Sequence, residues 1–186
     1  MILPIYTYDA PVLREQAKPV SSMNEEIVAL IADMFETMKA ARGIGLAANQ
    51  VGKLHAVCLV DLSEMDEEDR HKPLVLINPE VVDSWGEDVV MEEGCLSLPE
   101  LREDVRRPEF IAVRFKDARF EEQQIEAGGL LARVIQHEID HLNGIYFTDY
   151  LTGFKKTIVR SQLNKIKKGE VETDYPVMVN GEIIPA

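Results

Sequence analysis

Two histidines four residues apart, with a glutamate beside the first, are the residues of this chain best suited to chemistry. His137, Glu138 and His141 follow the pattern H-E-x-x-H. On a helix, residues four apart lie on one face, so both imidazoles can bind the same metal ion. Glu138 lies where its carboxylate can take a proton from a metal-bound water. The pattern therefore indicates metal-assisted hydrolysis.

A catalytic site of this kind usually has a third protein ligand, and the sequence offers candidates of two kinds. The third histidine of a metzincin-type motif is absent. Glu170 and Glu172 lie downstream, where a thermolysin-type endopeptidase would have its ligand. Cys95 is the better candidate, because Gly94 permits an unusual backbone turn and Pro99 interrupts a regular strand. A cysteine at such a bend can direct its sulfur at a site.

A structural metal site is the non-enzymatic alternative. Cys58 and Cys95 could join the two histidines in a closed Cys₂His₂ zinc site without bound water. Glu138 would then have no role. The apolar run Ala56–Val60 also predicts that Cys58 is a buried, inert side chain of a strand.

The segment Gly43–Gln50, with the sequence GIGLAANQ, could form one wall of a cleft. Its glycines and alanines allow another part of the chain to approach the backbone closely. Gln50 could donate a hydrogen bond into such a cleft. The alternative is a helix end followed by a tightly packed loop, since glycine is common after helices.

An amphipathic helix is predicted before this segment. Ser22–Glu25 resembles a capping box. Apolar residues then recur at helical spacing and should face the core: Ile27, Leu30, Ile31, Met34 and Met38. The helix should end near Arg42, with Gly43 in the left-handed conformation.

Strands and a second helix should follow. Apolar and β-branched runs predict strands near residues 55–61, 74–78, 87–91, 110–116 and 119–125, with a polar, mostly acidic loop at 63–72. A helix from about Leu130 to Leu142 would carry the two histidines, with Gly144 ending it. Its Leu131, Ile135 and Leu142 should face the core, whereas Leu130 and Val134 share the face of the histidines. The order of elements favours an α+β fold, with mostly antiparallel strands packed around this central helix.

A third helix is predicted from about Gly153 to Lys168. It has no acidic residue and six basic ones, Lys155, Lys156, Arg160, Lys165, Lys167 and Lys168. The whole chain has a net charge of −13. The helix could therefore dock on an acidic partner, or be attracted to its own acidic domain.

Size and composition indicate one domain over residues 1–169, with a tail at 170–186 of unknown structure. The negative charge argues against binding of the bulk surface to nucleic acid or to an anionic membrane. No apolar run approaches the ~18 residues of a membrane span. The first residues lack the features of a signal peptide. We therefore expect a cytoplasmic protein without membrane contact, with a monomer favoured.

Three segments together are similar to the peptide deformylase family. They are Gly43–Gln50 (GIGLAANQ), Glu93–Ser97 (EGCLS) and Gln136–His141 (QHEIDH). They stand in the family's order and spacing, and the resemblance extends over about residues 1–168. Three motifs in register are far more specific than H-E-x-x-H alone.

The resemblance implies an enzyme that removes the formyl group from N-terminal formyl-methionine of nascent polypeptides and releases formate. It implies that Cys95, His137 and His141 bind one divalent metal ion, physiologically most often Fe²⁺, with Zn²⁺, Ni²⁺ or Co²⁺ as substitutes. A metal-bound water would attack the formyl carbon, with Glu138 as general base and then general acid. The Gln50 side chain and the Leu96 backbone N–H would stabilise the developing oxyanion.

The resemblance also implies roles in substrate binding. Gly45 should hold the substrate backbone, and the methionine side chain should lie among Ile44, Leu130 and Val134. Arg102 is a candidate for contact with the peptide beyond methionine, or for a surface salt bridge. The role of Arg133 is left open. The basic helix would dock the enzyme on ribosomal RNA, where its substrates emerge.

Overall fold

The strands and helices of the computed structural model, which describes residues 1–65 and 72–186, form an α+β fold. The helices are α1 (Glu25–Ala40), α2 (Gly129–Leu142) and α3 (Gly153–Lys167). The strands are β1 (Ile5–Tyr6), β2 (Gly45–Ala47), β3 (Val57–Val60), β4 (Leu74–Cys95), β5 (Leu98–Lys116), β6 (Glu122–Gly128), β7 (Val177–Val179) and β8 (Glu182–Ile184). The predicted fold class, with mostly antiparallel strands, is confirmed.

Two sheets organise the described residues. The larger is antiparallel throughout and has the strand order β2-β3-β4-β5-β6. The smaller has the order β1-β7-β8, and in it β1 runs parallel to β7. The smaller sheet therefore joins the beginning of the chain to its last residues.

Strand β3 lies between the two main helices. Val57 and Leu59 belong to the apolar cluster that contains the buried face of α1. Cys58 and Val60 belong to the cluster that contains the buried face of α2. Alternate side chains of a strand point to opposite faces, so both faces of β3 are buried. This explains the uninterrupted apolar run in its sequence.

Helix α1 has the predicted buried stripe but a different N-cap. Ile27, Met34 and the rest of the stripe are buried. The side chain of Asn24, and not that of Ser22, accepts the backbone N–H of Ile27 at 2.9 Å. The predicted capping box is wrong because the first helical residue is Glu25, which makes Asn24 the residue in capping position.

The C-terminal end of α1 also differs from the prediction. Arg42, with φ of 52°, takes the left-handed conformation that was expected of Gly43. The Arg42 N–H donates to Lys39 and the Gly43 N–H to Met38, the pattern of a Schellman motif. Gly43 lies one position later, where an added Cβ would come 2.8 Å from the Leu96 side chain. A larger residue at this position would therefore have to displace the Leu96 side chain.

The strands near 74–78 and 87–91 are parts of one long strand, β4, and the strand near 110–116 is the end of β5. From about Glu80 onward much of β4 is exposed, so the sequence has no alternating pattern there. Strand β6 begins at Glu122, three residues after the predicted start. The Asp117 carboxylate accepts the N–H groups of Arg119 and Glu121 and thereby holds residues 117–121 in a turn.

The other predicted helices have the expected bounds to within about one residue. Gly144, with φ of 73°, ends α2 as predicted. The tail at 170–186 contains β7 and β8. Most of the polar loop predicted at 63–72 lies outside the described residues. No helix in the described ranges is both long and apolar enough to cross a membrane.

Replacing Asn24 by Ala should lower the free energy of unfolding by about 1 kcal/mol, because the Ile27 N–H loses its acceptor. Urea unfolding measures the change. Ser22→Ala is the matched control, since both residues are exposed. An equal loss from Ser22→Ala would contradict the assignment of Asn24 as N-cap.

Candidate metal centre and active site

Helix α2 and the end of β4 bring three metal-binding side chains together. His137 and His141 lie one turn apart on α2, and their Nε2 atoms are 3.1 Å from each other. The sulfur of Cys95 lies 3.1 Å from His141 Nε2. The donor atoms of all three lie within 4.8 Å of one another. They therefore converge on one point.

The position of Cys95 follows from a tight turn. Cys95 pairs with Leu98 at the end of the β4–β5 hairpin, so only Leu96 and Ser97 connect the two strands. The pairing register shifts between Gly94 and Cys95. Residues 99–101 of β5 therefore bulge out, with Glu100 at a φ of 62°. The irregularity turns the sulfur toward α2.

The three donors fit a divalent metal ion. A thiolate with two imidazoles is a donor set that suits zinc or iron. Within residues 1–65 and 72–186, this is the group of His, Cys, Asp or Glu side chains that meets the geometry for a metal ion. Cys58 and the exposed Glu170 and Glu172 are not part of it. The arrangement therefore supports neither the closed Cys₂His₂ site nor the glutamate-ligated endopeptidase.

Glu93 orients the first histidine. Its carboxylate lies 2.9 Å from Nδ1 of His137, so Nδ1 carries the proton and Nε2 is left free to face Cys95. Burial lowers the pKa of His141, and the neighbouring His137 lowers it further. His141 is therefore neutral, the form that binds metal.

Two arginines hold the Glu93 carboxylate in the protein interior. Arg107 donates to it through Nε at 2.6 Å and through Nη2 at 3.0 Å, and Arg133 donates at 2.8 Å. Arg107 also donates to Asp140 at 2.6 Å. Burial alone would raise the pKa of Glu93, but its bonds to His137 and Arg107 hold that pKa below the ordinary value. The positive charges of Arg107 and Arg133 thus balance the negative charges of Glu93 and Asp140.

Glu138 lies beside the donors in a different environment. It is 4% exposed, and its Oε2 atom has no hydrogen-bond partner among the described residues. Burial raises the pKa of this carboxyl group to about 7. Its side chain lines the same cleft as Cys95 and His137. A carboxylate with a free oxygen and a pKa near neutrality is suited to moving protons.

The Glu138 carboxylate occupies the space that a side chain at position 45 would need. A Cβ built on Gly45 would overlap the Glu138 carboxylate and lie 2.9 Å from Cγ1 of Val134. With a larger residue at this position, the start of β2 could lie against α2 only if the Glu138 and Val134 side chains moved.

Gln50 is held in one orientation at the edge of the site. Its Oε1 accepts the Ala47 N–H at 2.8 Å. Its Nε2 lies 3.1 Å from Oγ of Ser97 and 3.6 Å from the sulfur of Cys95. The amide group thus faces the same turn that carries Leu96.

A cleft of about 870 Å³ lies over these groups. The residues predicted to bind substrate all line it, namely Ile44, Gly45, Arg102, Leu130 and Val134. Leu130 and Val134 project from the first turns of α2, so the cleft has an apolar wall next to the donors. Arg102 is largely exposed, with Nη1 3.7 Å from Glu92, so the expected surface salt bridge is also present.

Arg133, whose role the sequence left open, borders the cleft but has a buried guanidinium group. Besides Glu93, it donates to the backbone carbonyls of Val89 and Val105, at 2.6 and 2.9 Å. These hydrogen bonds connect α2 to the β4–β5 hairpin.

Glu93 and four residues of the tail belong to the site but were not identified from the sequence. Glu93 lies two positions before Cys95 in the recognised motif EGCLS. Alternate residues of a strand share a face, so this spacing could have indicated that Glu93 faces the same region as Cys95. Four residues of the tail also line the cleft: Glu172, Thr173, Asp174 and Tyr175. No pattern in the tail sequence indicates this location.

Glu93→Gln should weaken metal binding about 10- to 100-fold, because His137 loses the charged partner that orients it. The dissociation constant for Zn²⁺, measured by competition with a chelator, tests this. Glu92→Gln is the control, since Glu92 is exposed. Unfolding is measured in parallel, so that affinity is compared between folded proteins. Equal affinities in the two variants would contradict the role of Glu93.

Comparison with known proteins gives one consistent result. The sequence model of the polypeptide deformylase family matches residues 2–157. A peptide deformylase of Salinibacter ruber is 48% identical over the full length of both chains. The crystal structure of a peptide deformylase from Legionella pneumophila is 39% identical, with a TM-score of 0.82 over 91% of this chain and 98% of that one.

A second solved structure is similar to the same extent. It is a peptide deformylase from Ehrlichia chaffeensis in complex with actinonin, 40% identical, with a TM-score of 0.82 over 92% of this chain and 99% of that one. The family match covers most of the chain and includes all three motifs. The chain belongs to the polypeptide deformylase family.

Proposed function

We propose that this protein removes the formyl group from the N-terminal formyl-methionine of nascent polypeptides and releases formate. The observation that carries the proposal is the free Glu138 carboxylate oxygen beside the three converging donors, in one cleft with an apolar wall. The identity with peptide deformylases over the whole chain supports the same substrate.

Cys95, His137 and His141 would hold one divalent metal ion, which we propose to be Fe²⁺ in the cell. When bound, such an ion supplies Lewis acidity, which polarises a carbonyl group and lowers the pKa of water. The thiolate ligand would make an iron-loaded site sensitive to oxygen. Zn²⁺, Ni²⁺ or Co²⁺ could replace iron in preparations.

Glu138 would act as the proton carrier of the reaction. Its carboxylate takes a proton from the attacking water as the oxygen–carbon bond to the formyl carbon forms. It then gives that proton to the leaving amine as the carbon–nitrogen bond breaks, so that formate and a free amino terminus result. The pKa of about 7 suits a group that must both accept and donate.

Gln50 and the Leu96 backbone N–H would stabilise the negative charge that develops on the formyl oxygen. Donors fixed before the reaction stabilise such charge without reorganising. Gln50 meets this requirement, since its amide is held through Ala47 and Ser97.

The substrate would lie along the start of β2. The Gly45 backbone would bind the peptide, and Ile44, Leu130 and Val134 would surround the methionine side chain. Arg102, at the mouth of the cleft, would contact the following residues. We propose that a monomer suffices, because one chain supplies every group, and that the activity is cytoplasmic, where polypeptides are synthesised.

Formate release from formyl-Met-Ala-Ser by anaerobically purified protein tests the function, with metal content measured in each preparation. Glu138→Gln should keep its metal and lose roughly 10²–10⁴-fold in kcat, because the proton carrier is gone. Cys95→Ser should lose metal and activity together. The pair separates metal binding from proton transfer.

The proposed function fails if fully metal-loaded wild-type protein releases no formate. Full activity in Glu138→Gln would leave the function in place but remove Glu138 from the mechanism.

We also propose that α3 docks the enzyme on the ribosome. Lys155 lies 3.0 Å from Glu103, and Lys167 lies 2.7 Å from Asp9, so these two residues bind their own acidic domain. The remaining basic residues of this segment are exposed and make no such pair within the described ranges: Lys156, Arg160, Lys165 and Lys168. These would contact the phosphates of ribosomal RNA.

Reversing Lys156, Arg160 and Lys168 to Glu should weaken ribosome co-sedimentation by roughly tenfold or more, because phosphate contacts dominate such binding. Reversing the exposed Lys39, Lys53 and Arg119 makes the same change in net charge away from α3 and should have a much smaller effect. Equal losses in the two triple variants would indicate attraction by net charge alone and contradict docking through α3.

A further inference from the structure

The turn formed by Leu96 and Ser97 has several roles at once. It connects β4 to β5, it follows directly after Cys95, and it carries the Leu96 N–H assigned above to the oxyanion. Gln50 contacts the turn from the cleft side through Oγ of Ser97. Two further hydrogen bonds hold its backbone from the opposite ends of the chain.

These two bonds go to consecutive carbonyl groups. The Tyr8 N–H donates to the carbonyl of Ser97 at 3.0 Å. The hydroxyl of Tyr175 donates to the carbonyl of Leu96 at 2.9 Å. The peptide units on both sides of Ser97 are thus fixed by groups outside the hairpin.

The side chain of Tyr175 is buried. It is 7% exposed, and its ring packs in the apolar cluster that contains the buried face of α1. Leu96 packs against the same cluster. Burial raises the pKa of the Tyr175 hydroxyl, so the group remains a donor in neutral solution.

The small sheet links Tyr8 to Tyr175. Strand β1 ends two residues before Tyr8, and β7 begins two residues after Tyr175. The parallel pairing of these strands includes the bond from the Ile5 N–H to the Pro176 carbonyl, at 2.9 Å. The Thr7 N–H also donates to the Met178 carbonyl, at 3.2 Å. The two donors to the turn therefore belong to one connected unit.

We propose that Tyr175 is a positioning residue for deformylation. By holding the Leu96 carbonyl, its hydroxyl fixes the peptide unit between Leu96 and Ser97. Only the Leu96 α-carbon separates this unit from the one that carries the Leu96 N–H, so the bond helps to direct that N–H toward the reacting oxygen. This role rests on the proposed function. It also gives the tail, which lies beyond residues 2–157 matched by the family model, a part in the reaction.

Tyr175→Phe keeps the ring and removes only the hydroxyl. In the metal-loaded enzyme we expect kcat to fall roughly three- to tenfold, the effect of one lost hydrogen bond. KM and metal content should change little, because Tyr175→Phe keeps the ring of this cleft residue in place and alters none of the three metal donors. The Leu96 amide should exchange with solvent faster, which NMR measures without substrate.

Tyr6→Phe is the matched control. Tyr6 lies on β1 of the same small sheet, and its hydroxyl lies near Gly52 and forms no hydrogen bond to Leu96 or Ser97. This variant should keep the wild-type kcat and the wild-type exchange rate at Leu96. A fall in kcat of the same size in both variants would overturn the proposal, since it would reflect general loosening of the small sheet.

Unchanged exchange at Leu96 in Tyr175→Phe would overturn the proposal whatever the activity. So would a loss of kcat that only follows a loss of bound metal. If the wild type releases no formate, the proposed function fails, and the exchange rate alone then decides whether Tyr175 fixes the turn.

Discussion

The buried carboxylate of Glu93 is the interaction on which the site depends. It belongs to β4, accepts from Arg107 on β5, and binds both Arg133 and His137 on α2. Removing one partner from a buried ion network leaves an uncompensated charge, at a cost of about 3–5 kcal/mol. The same contacts that join the hairpin to the helix therefore also orient a metal-binding histidine. Stability and metal affinity are coupled through one side chain.

The environments of two glutamates separate their roles. Glu93 is surrounded by cations, so its pKa lies below the ordinary value and it stays charged. Glu138 is buried with a free oxygen, so its pKa rises to about 7 and it can exchange protons. Both are neighbours of His137: the Glu93 carboxylate contacts its ring, and Glu138 follows it in the sequence. A single fold thus places a permanent anion and the proposed proton carrier on either side of His137, one of the proposed metal ligands.

The sequence predicted the helical stripe of α1, the helix with the two histidines and the fold class, because these depend on local spacing. It also selected Cys95 over Glu170 and Glu172. It did not predict the Arg107–Glu93 contact, because the pairing of buried charges depends on how hairpin and helix pack. The exposed half of β4 and the three-residue strands of the tail have no periodic pattern. The formation of these strands depends on partners far away in the chain. The sequence alone could therefore not show that Tyr175 lies next to the turn at Leu96.

The parallel pairing of β1 with β7 has a consequence for the order of folding. Ile5 pairs with Val177, so this contact closes almost the whole chain, and contacts of large sequence separation form late. During synthesis, helices α1 and α2 and the large sheet can form before Tyr175 has left the ribosome. The turn beside the metal site would then gain its last hydrogen bond only after the rest of the protein is in place. A protein that acts on unfinished chains would thus be completed by a segment that is itself synthesised late.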